Sequence, residues 1–172
     1  MKAGRLDIIV HSIIAGFFLS HAMREDVEMH LILNGPPDPP KHIHMYYDPN
    51  MPISKKDIGN LLRATLWKYK PGRKVLAFPG VEIEKRSFES VVEEHAGYEL
   101  YLLDEKGIDV GEVEFGEHVV FVLGDHEGLP RKTKKFVKQR AKATISIGPY
   151  PYFTSQCISF MNIWLDRVHK NV

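Results

Sequence analysis

The sequence predicts an α/β protein with a mostly parallel sheet flanked by helices. Short apolar strands alternate with helical segments along the chain, and the strand at 118–123 (HVVFVL) is apolar on both faces. Alternation of strands and helices gives βαβ units, and a doubly apolar strand is typical of the centre of a parallel sheet covered by helices. The length of 172 residues fits a single domain, 1–172.

Each strand is predicted from a run of apolar, β-branched or aromatic residues. In chain order, the predicted strands are residues 6–10, 29–33, 42–46, 73–78, 98–103, 118–123 and 144–147. Each helix is predicted from apolar positions one turn apart. The predicted helices are residues 12–23, 55–69, 87–95, 130–141 and 155–168. Ser54 and Asp57 are both candidate N-caps of the second helix, and four prolines at 36–40 predict a stiff, exposed connector.

The composition is that of a soluble globular protein. Lys and Arg number 23 and Asp and Glu 22, which leaves a formal charge of +1. This balance argues against binding nucleic acid through bulk positive charge, but it leaves local patches open. The single cysteine, Cys157, cannot form an internal disulfide and favours a reducing compartment. No apolar run approaches the ~20 residues that span a membrane, so we expect a cytoplasmic protein with no membrane partner.

Two turns that follow predicted strands are candidate ligand sites, because ligands of doubly wound sheets bind at the carboxyl ends of strands. The turn 123–130 (LGDHEGLP) places three ionisable residues between two glycines; a tight structural turn explains it equally well. The turn 146–153 (SIGPYPYF) leads into a helix whose first N–H groups suit an anion. Its aromatic residues would stack on a flat ring or pack in a core or interface. His126 is a candidate base for Cys157, although a buried packing cysteine is commoner.

Nine histidines raise the question of a metal site. His42 and His44 would share one face of a strand, with Tyr46 beside them. No cysteine or second histidine pair stands at zinc-like spacing, so we expect no metal.

The segment 131–142 carries seven positive charges and no acid. One interpretation is a solvated helix face. The other is a surface for a phosphate backbone, since neutralising phosphates needs clustered Lys and Arg side chains.

Three C-terminal stretches resemble one known family: FVLGDHEGLP at 121–130, ISIGPYPYFTSQC at 145–157 and WLDR at 164–167. They are similar to the archaeal tRNA (pseudouridine-N1)-methyltransferases, SPOUT-class enzymes that use S-adenosylmethionine. Further matches occur in the same order along the chain: GRLDII at 4–9, FLSHAMRED at 18–26, LILNGPPDPPKHI at 31–43, PGVEIE at 79–84 and YLLDEKGIDV at 101–110.

The resemblance implies a SPOUT-type sheet with a C-terminal deep trefoil knot that holds S-adenosylmethionine. It also implies a homodimer and a tRNA substrate, with methylation at N1 of pseudouridine 54 in the T-loop. Carried over residue by residue, the cofactor-binding positions are Leu102, Gly124, Ile147, Gly148, Pro149, Tyr150, Pro151, Tyr152 and Cys157.

This chemistry needs a donor and a proton acceptor, because N1 of pseudouridine attacks well only after it loses its proton. Within 21–26 (HAMRED), which matches the family, we assign Arg24 as the donor. The base is either Asp26 of the same stretch or Asp57, a candidate N-cap of the second predicted helix. A surface ion pair between Arg24 and Asp26 is the alternative. The residues expected to hold tRNA phosphates are Arg131, Lys132, Lys134, Lys135 and Arg140.

Three other functions stay open at this point. The SPOUT fold also hosts methylation of ribosomal RNA, of the ribose 2′-oxygen or of another base, since a fold does not determine a function. A non-catalytic RNA-binding SPOUT protein is the second alternative. The residues without the resemblance would also fit a nucleotide-binding α/β regulator.

Overall fold

A computed structural model describes residues 6–125 and 127–169, and the chain divides into two compact units, Met1–Val91 and Val92–Val172. The first unit contains α1 (Leu6–Phe17), β1 (Glu28–Leu33), β2 (Lys41–Tyr46), α2 (Ile58–Lys68), β3 (Val75–Phe78), β4 (Val81–Lys85) and the start of α3 (Phe88–Glu94). The second contains β5 (Glu99–Asp109), a 3-10 turn (Val110–Glu112), β6 (Val119–Val122), α4 (Arg131–Lys138), β7 (Ala143–Ser146) and α5 (Thr154–His169). The single domain stays a prediction.

The first unit is built on an antiparallel sheet in the order β1-β2-β4-β3. Along β2 and β4 the buried residues Ile43, Met45, Val81 and Ile83 alternate with histidines and glutamates. The apolar face packs with residues of α1 and α2 in one core. This alternation is typical of a sheet with a single covered face.

The prediction of a strand at 6–10 is wrong, because these residues begin α1. Ile9, Ile13 and Phe17 stand four residues apart and all pack in the core of the first unit. A helix brings this spacing to one face, which outweighs the β-branched character of Ile8 to Val10. The helix ends at Phe17 rather than at Met23, and a bridge between Phe18 and Met23 closes the next turn.

Strand β4 was not predicted, although its sequence VEIEK alternates apolar and charged residues. It forms a hairpin with β3 around Pro79 and Gly80. Gly80 has φ +71°, and a Cβ there would collide with the Tyr46 carbonyl oxygen. The turn therefore requires glycine, and the alternation after it is the sequence signal for the strand.

The second unit contains a parallel sheet in the order β6-β5-β7. The expected mostly parallel sheet is therefore confined to this unit, since the first unit's sheet is antiparallel. The run 118–123 forms β6, which lies at the edge of the described sheet and is only half-buried, whereas β5 is central. Position in the sheet depends on strand order, which apolar content alone does not fix.

The strand predicted at 98–103 continues to Asp109 in β5, well beyond its predicted end. The other predicted elements, from β1 and β2 to α5, are confirmed to within a few residues. Asp57 is the N-cap residue of α2, but its carboxylate accepts a hydrogen bond from the Ser54 hydroxyl (3.0 Å) and caps no helical N–H. The proline connector is anchored at Asp38, which accepts hydrogen bonds from Tyr69 (2.5 Å) and Lys85. Among the described helices, none combines the length and the apolar character that crossing a membrane requires.

Candidate functional site

The ends of three parallel strands define the first candidate site, which lies wholly in the second unit. Leu102 pairs with Val122 on β6 and Thr144 on β7, so it sits in the middle row of the sheet with a side chain only 1% exposed. Beyond it, Leu103 and Ile108 both align with Ile145 of β7. The residues between Leu103 and Ile108 leave the ladder as a bulge. Leu102 lies before this bulge, and because its side chain is buried it can offer a ligand only its backbone.

Glycine at position 124 is required by the turn after β6. A Cβ on Gly124 would lie 2.6 Å from the carbonyl carbon of Gly128, which real side chains do not tolerate. The turn is closed by the Asp125 carboxylate, which accepts the Glu127 N–H (2.8 Å), and by Gly128 N–H on the Asp125 carbonyl (3.0 Å). The Thr154 hydroxyl donates to the Gly124 carbonyl (2.8 Å), which ties this turn to the start of α5.

The loop after β7 is an ordered turn that presents aromatic rings. The Ser146 hydroxyl donates to the Gly148 carbonyl (2.8 Å), and the Tyr152 ring packs against Gly148 where a Cβ would otherwise stand. Tyr150 is 68% and Phe153 73% exposed, so core packing is the wrong interpretation for both. Pro149 and Pro151 are also exposed, while Ile147 is half-buried. The loop can therefore meet a planar ligand.

Helix α5 begins directly after this loop with one partly capped turn. The Phe153 N–H donates to the side chain of Gln156 (3.0 Å), the bond that a glutamine makes at the third position of a capping box. Cys157 follows in the first turn, half-buried, and desolvation raises the pKa of its thiol. A raised pKa disfavours the nucleophilic thiolate, which supports contact or packing as its role. His126, its suggested base, lies outside the described residues.

Asp104 is a structured residue of the β5 bulge, although its local sequence is that of an ordinary acidic turn. Partial burial raises its pKa, but hydrogen bonds from Lys134 and from the Lys106 N–H outweigh burial, so the pKa is lowered overall. The ion pair with Lys134 joins the bulge to α4. Gly107 lets the bulge rest on β7, since a Cβ there would collide with the Ile145 backbone. Only the long stretch of family resemblance at 101–110 could have indicated this.

Most of the basic segment 131–142 is exposed. Some of its cations form ion pairs with acidic residues and the others do not. Lys134 pairs with Asp104, Arg140 with Glu93 (3.5 Å) and Lys142 with Glu99 (2.6 Å). The other four cations of the segment 131–142, which form no ion pair with a described residue, are Arg131, Lys132, Lys135 and Lys138. A phosphate backbone would meet this second group first, and it includes Lys138, which was not among the predicted contacts.

The predicted catalytic residues lie in the first unit. Arg24 is 8% exposed, so it does not lie on the surface as the alternative interpretation requires, while its pairing with Asp26 stays a prediction. Its backbone N–H donates to the Phe17 carbonyl (2.8 Å), which fixes it beside the end of α1. Asp26 and Asp57 are both exposed.

A cleft of about 280 Å³ opens beside this segment, and no sequence pattern indicated it. Its lining residues are Ala22, Met23, Glu25, Tyr47, Asp48, Pro49 and Met51. Met23 and Glu25 flank Arg24 in the chain, and the lining includes the acidic residues Glu25 and Asp48. The cleft therefore combines an apolar wall with acidic groups, and the buried Arg24, a chain neighbour of two lining residues, is not itself one of them.

Comparison with known proteins decides the family. Residues 2–170 match the profile of a family described as "Putative SAM-dependent RNA methyltransferase". The chain belongs to this family. Its enzyme class and cofactor are those predicted from the sequence, and the resemblance on which they rested is confirmed.

Relatives of this methyltransferase carry a more specific name. It is 37% identical to a tRNA (pseudouridine(54)-N(1))-methyltransferase of Pyrococcus abyssi, with 96% of this chain and 86% of that protein covered. The enzyme of the same name from Thermococcus kodakarensis is 35% identical, with 95% and 86% covered. The crystal structure of Archaeoglobus fulgidus Nep1 bound to S-adenosylhomocysteine shares the fold, with a TM-score of 0.67 and 20% identity over 97% of this chain and 72% of that one.

Proposed function

We propose that the protein transfers a methyl group from S-adenosylmethionine to N1 of pseudouridine 54 in tRNA. The observation that carries this proposal is the identity of 37% to a relative of that name over 96% of the chain. Such coverage includes both the strand-end loops of the second unit and the Arg24 segment of the first.

The residues that would hold the cofactor surround the strand ends: Leu102, Gly124, Ile147, Gly148, Pro149, Tyr150, Pro151, Tyr152 and Cys157. They fit an adenosyl group, because the exposed rings of Tyr150 and Tyr152 can stack on a planar base. The hydrogen bond from Thr154 to Gly124 holds two of the loops together. When bound, the cofactor supplies an electrophilic methyl sulfonium that needs no activation.

The protein's own part in the reaction is to activate the uracil ring of the substrate for attack. The N1 proton would go to a carboxylate, Asp26 or Asp57, which leaves N1 with the lone pair that takes up the methyl group. Arg24 donates to the uracil oxygen on which negative charge develops, and its burial strengthens that interaction. The cleft next to Arg24 is the candidate place for the target base.

The α4 surface would hold the tRNA backbone through Arg131, Lys132, Lys134, Lys135 and Arg140. Lys134 and Arg140 already pair with acids, so Arg131, Lys132, Lys135 and the additional Lys138 would supply most of the phosphate contacts. A cation that already pairs with an acidic residue contributes less to RNA affinity, because the energy lost on breaking that pair offsets the energy gained from the phosphate.

The fold proposal is one domain, 1–172, with a C-terminal trefoil knot, acting in the cytoplasm as a homodimer. The tie between the β6 turn and the start of α5 supports the knot. Large apolar side chains exposed on the second unit support the dimer; they are Ile108, Ile163 and Val168. Exposed apolar side chains that form a contiguous patch commonly mark an interface.

The deciding experiment incubates the protein and S-adenosylmethionine with two tRNA substrates that differ only at position 54, uridine or pseudouridine. Mass spectrometry of the digested RNA locates the methyl group. We expect methyl-pseudouridine from the second substrate alone. Equal methylation of both, or a methyl on a ribose oxygen, would overturn the assignment in favour of the alternative SPOUT activities. Calorimetry with S-adenosylhomocysteine separates an inactive protein from one that binds no cofactor.

A further inference from the structure

The polar face of the first unit's sheet brings three histidines and three glutamates together. Across β1, β2 and β4, His30 is aligned with His44, and His44 with Glu82. In the neighbouring row, His42 is aligned with Glu84. The His30 ring stacks on the rings of His42 and His44, with centroids 5.1 and 4.3 Å apart. The cluster therefore joins side chains from three strands that are distant in the chain.

One side of the cluster sets the tautomer of His30. Nδ1 of His42 lies 3.4 Å from the Glu84 carboxylate, so it carries the proton that this acceptor attracts. His42 is 2% exposed, so the surrounding protein holds its ring in this orientation. Its Nε2 is then an acceptor, and Nδ1–H of His30 donates to it (2.9 Å). The remaining nitrogen of His30, Nε2, faces Glu28, whose carboxylate oxygen is 3.9 Å away.

The other side of the cluster orients His44 in the same way. Its Nδ1 lies 3.5 Å from the carboxylate of Glu82, and its Nε2 lies 2.9 Å from the same Glu28 oxygen. Glu82 is held in turn by Lys74. Carboxylates behind both rings thus direct two Nε2 atoms toward one carboxylate.

We propose that Glu28, His30 and His44 bind a divalent transition-metal ion of the Zn²⁺ class. Their three ligand atoms lie within 4.8 Å of one another, and tetrahedral Zn²⁺ with bonds near 2.0–2.1 Å needs about 3.4 Å between ligands. The 60% exposed side chain of Glu28 can rotate toward the rings. The parallel His30 and His44 rings would have to tilt so that both Nε2 lone pairs point to the ion. Imidazoles whose Nδ1–H groups bond to a carboxylate, directly or through a neighbouring ring, are the usual outer shell of such sites.

The ion would bridge β1 and β2, with its remaining coordination positions open to water or a ligand. This assignment does not rest on the proposed methyl transfer. It replaces the expectation of no metal, which considered His42 and His44 on one strand and could not include the ligands from β1. The competing arrangement is a protonated His44 shared between Glu28 and Glu82, which needs no metal.

The test uses the full chain without a histidine tag, treated with EDTA and dialysed. Co²⁺ is titrated while its visible absorption is recorded, and Zn²⁺ is then added as competitor. We expect a saturable band at one ion per chain that Zn²⁺ removes. Zn²⁺ at about 100 times its dissociation constant should also raise Tm by about 5 °C or more.

Three variants locate the ion. Glu28→Gln and His44→Ala should each weaken Co²⁺ binding at least about tenfold, whereas His11→Ala, which removes an exposed histidine of α1, should not. Glu28 is 60% exposed, so its amide variant keeps the fold even if His44→Ala does not. No Co²⁺ band at millimolar metal, or a band unchanged in Glu28→Gln, would overturn the proposal and favour the shared proton.

Discussion

The two units place their reactive groups differently because their sheets are built differently. In the second unit β5, β6 and β7 are parallel, and the candidate groups stand in the turns at the strand ends. In the first unit the sheet is antiparallel, one face is core, and the polar face itself carries the histidine cluster. In a parallel sheet with both faces covered, functional side chains are accessible at the ends of the strands. An antiparallel sheet with one covered face also exposes side chains on its other face.

This difference suggests a division of labour, with cofactor binding in the second unit and preparation of the target base in the first. Variants in one unit should then change one kinetic quantity and spare the other. The following predictions test that separation, beginning with the largest expected effect.

Replacing the buried arginine of the first unit should reduce turnover most. We expect Arg24→Ala to lower kcat by about 10²- to 10³-fold, the usual effect of removing one donor that stabilises a developing anion. The affinity for S-adenosylhomocysteine, measured by calorimetry, should not change. Single-turnover methylation of the pseudouridine-54 tRNA measures the loss.

Two companion variants make this result interpretable. Arg63→Ala removes an exposed arginine of α2 and should behave as the parent. Arg24→Lys retains the charge in the buried site and should recover part of the lost rate. A parental kcat in Arg24→Ala would remove Arg24 from the mechanism, and a simultaneous loss of cofactor affinity would break the division between the units.

In the second unit, one added methyl group should weaken cofactor binding. Gly124→Ala forces the turn after β6 apart, because the new Cβ would stand 2.6 Å from Gly128. Overpacking costs about 1–3 kcal/mol, and the free protein relieves it by shifting the turn. If binding requires the parent geometry of the turn, this cost returns on binding and lowers affinity by about 5- to 150-fold. Gly97→Ala is the matched control, since a Cβ there meets nothing within 4 Å. Equal affinities in the two variants would show that the turn lies outside the cofactor site.

The same contrast explains what the sequence could predict. The turns at 123–130 and 146–153 follow strands directly in the chain, so the order of residues alone places them at strand ends. The histidine cluster depends on the register of β1 against β2 and of β2 against β4, and no local pattern fixes a register between distant segments. The spacing of His42 and His44 therefore indicates a shared face, whereas nothing in the sequence adds His30 and Glu28 to it.

Two errors in the predicted secondary structure have different causes. The run Ile8 to Val10 favours a strand by propensity, yet burial of Ile13 and Phe17 one and two turns later makes a helix the better solution. Strand β4 was not predicted although Val81 and Ile83 alternate with glutamates. Tertiary contacts are needed to recognise the helix in the first case. In the second case, the alternation of apolar and charged residues is a sufficient signal for the strand.

On α4, neighbouring lysines should differ in their effect on tRNA binding. Lys135→Ala removes a cation that has no ion pair among the described residues, and should lower the slope of log K against log salt by about 1. Lys134→Ala removes a lysine that already pairs with Asp104, and should change the slope by less than half as much. Affinities measured by anisotropy over a range of salt concentrations give both slopes. A larger effect of Lys134→Ala would mean that RNA displaces Asp104.

The smallest expected effect is on acid stability, and it concerns the start of β5. Glu99 accepts hydrogen bonds from Lys142 (2.6 Å), the Gly116 N–H (2.9 Å) and Tyr101 (2.8 Å), which together lower its pKa from 4.5 to about 2. Above pH 4.5 the carboxylate is ionised in the folded and unfolded chains alike, and its stabilisation is complete. As the pH falls from about 4.5 to about 2, the unfolded chain takes up the proton first, so this stabilisation is lost.

Glu99→Gln should therefore unfold at a lower Tm than the parent at pH 7, and the difference should vanish as the pH approaches 2. Glu117→Gln, which alters an exposed glutamate of the same unit, should follow the parent at every pH. Thermal unfolding monitored by circular dichroism between about pH 2 and pH 7 measures the three curves. A gap between the parent and Glu99→Gln that stays constant with pH would assign the effect of Glu99 to packing, because only an ionised carboxylate with a lowered pKa loses its advantage in acid.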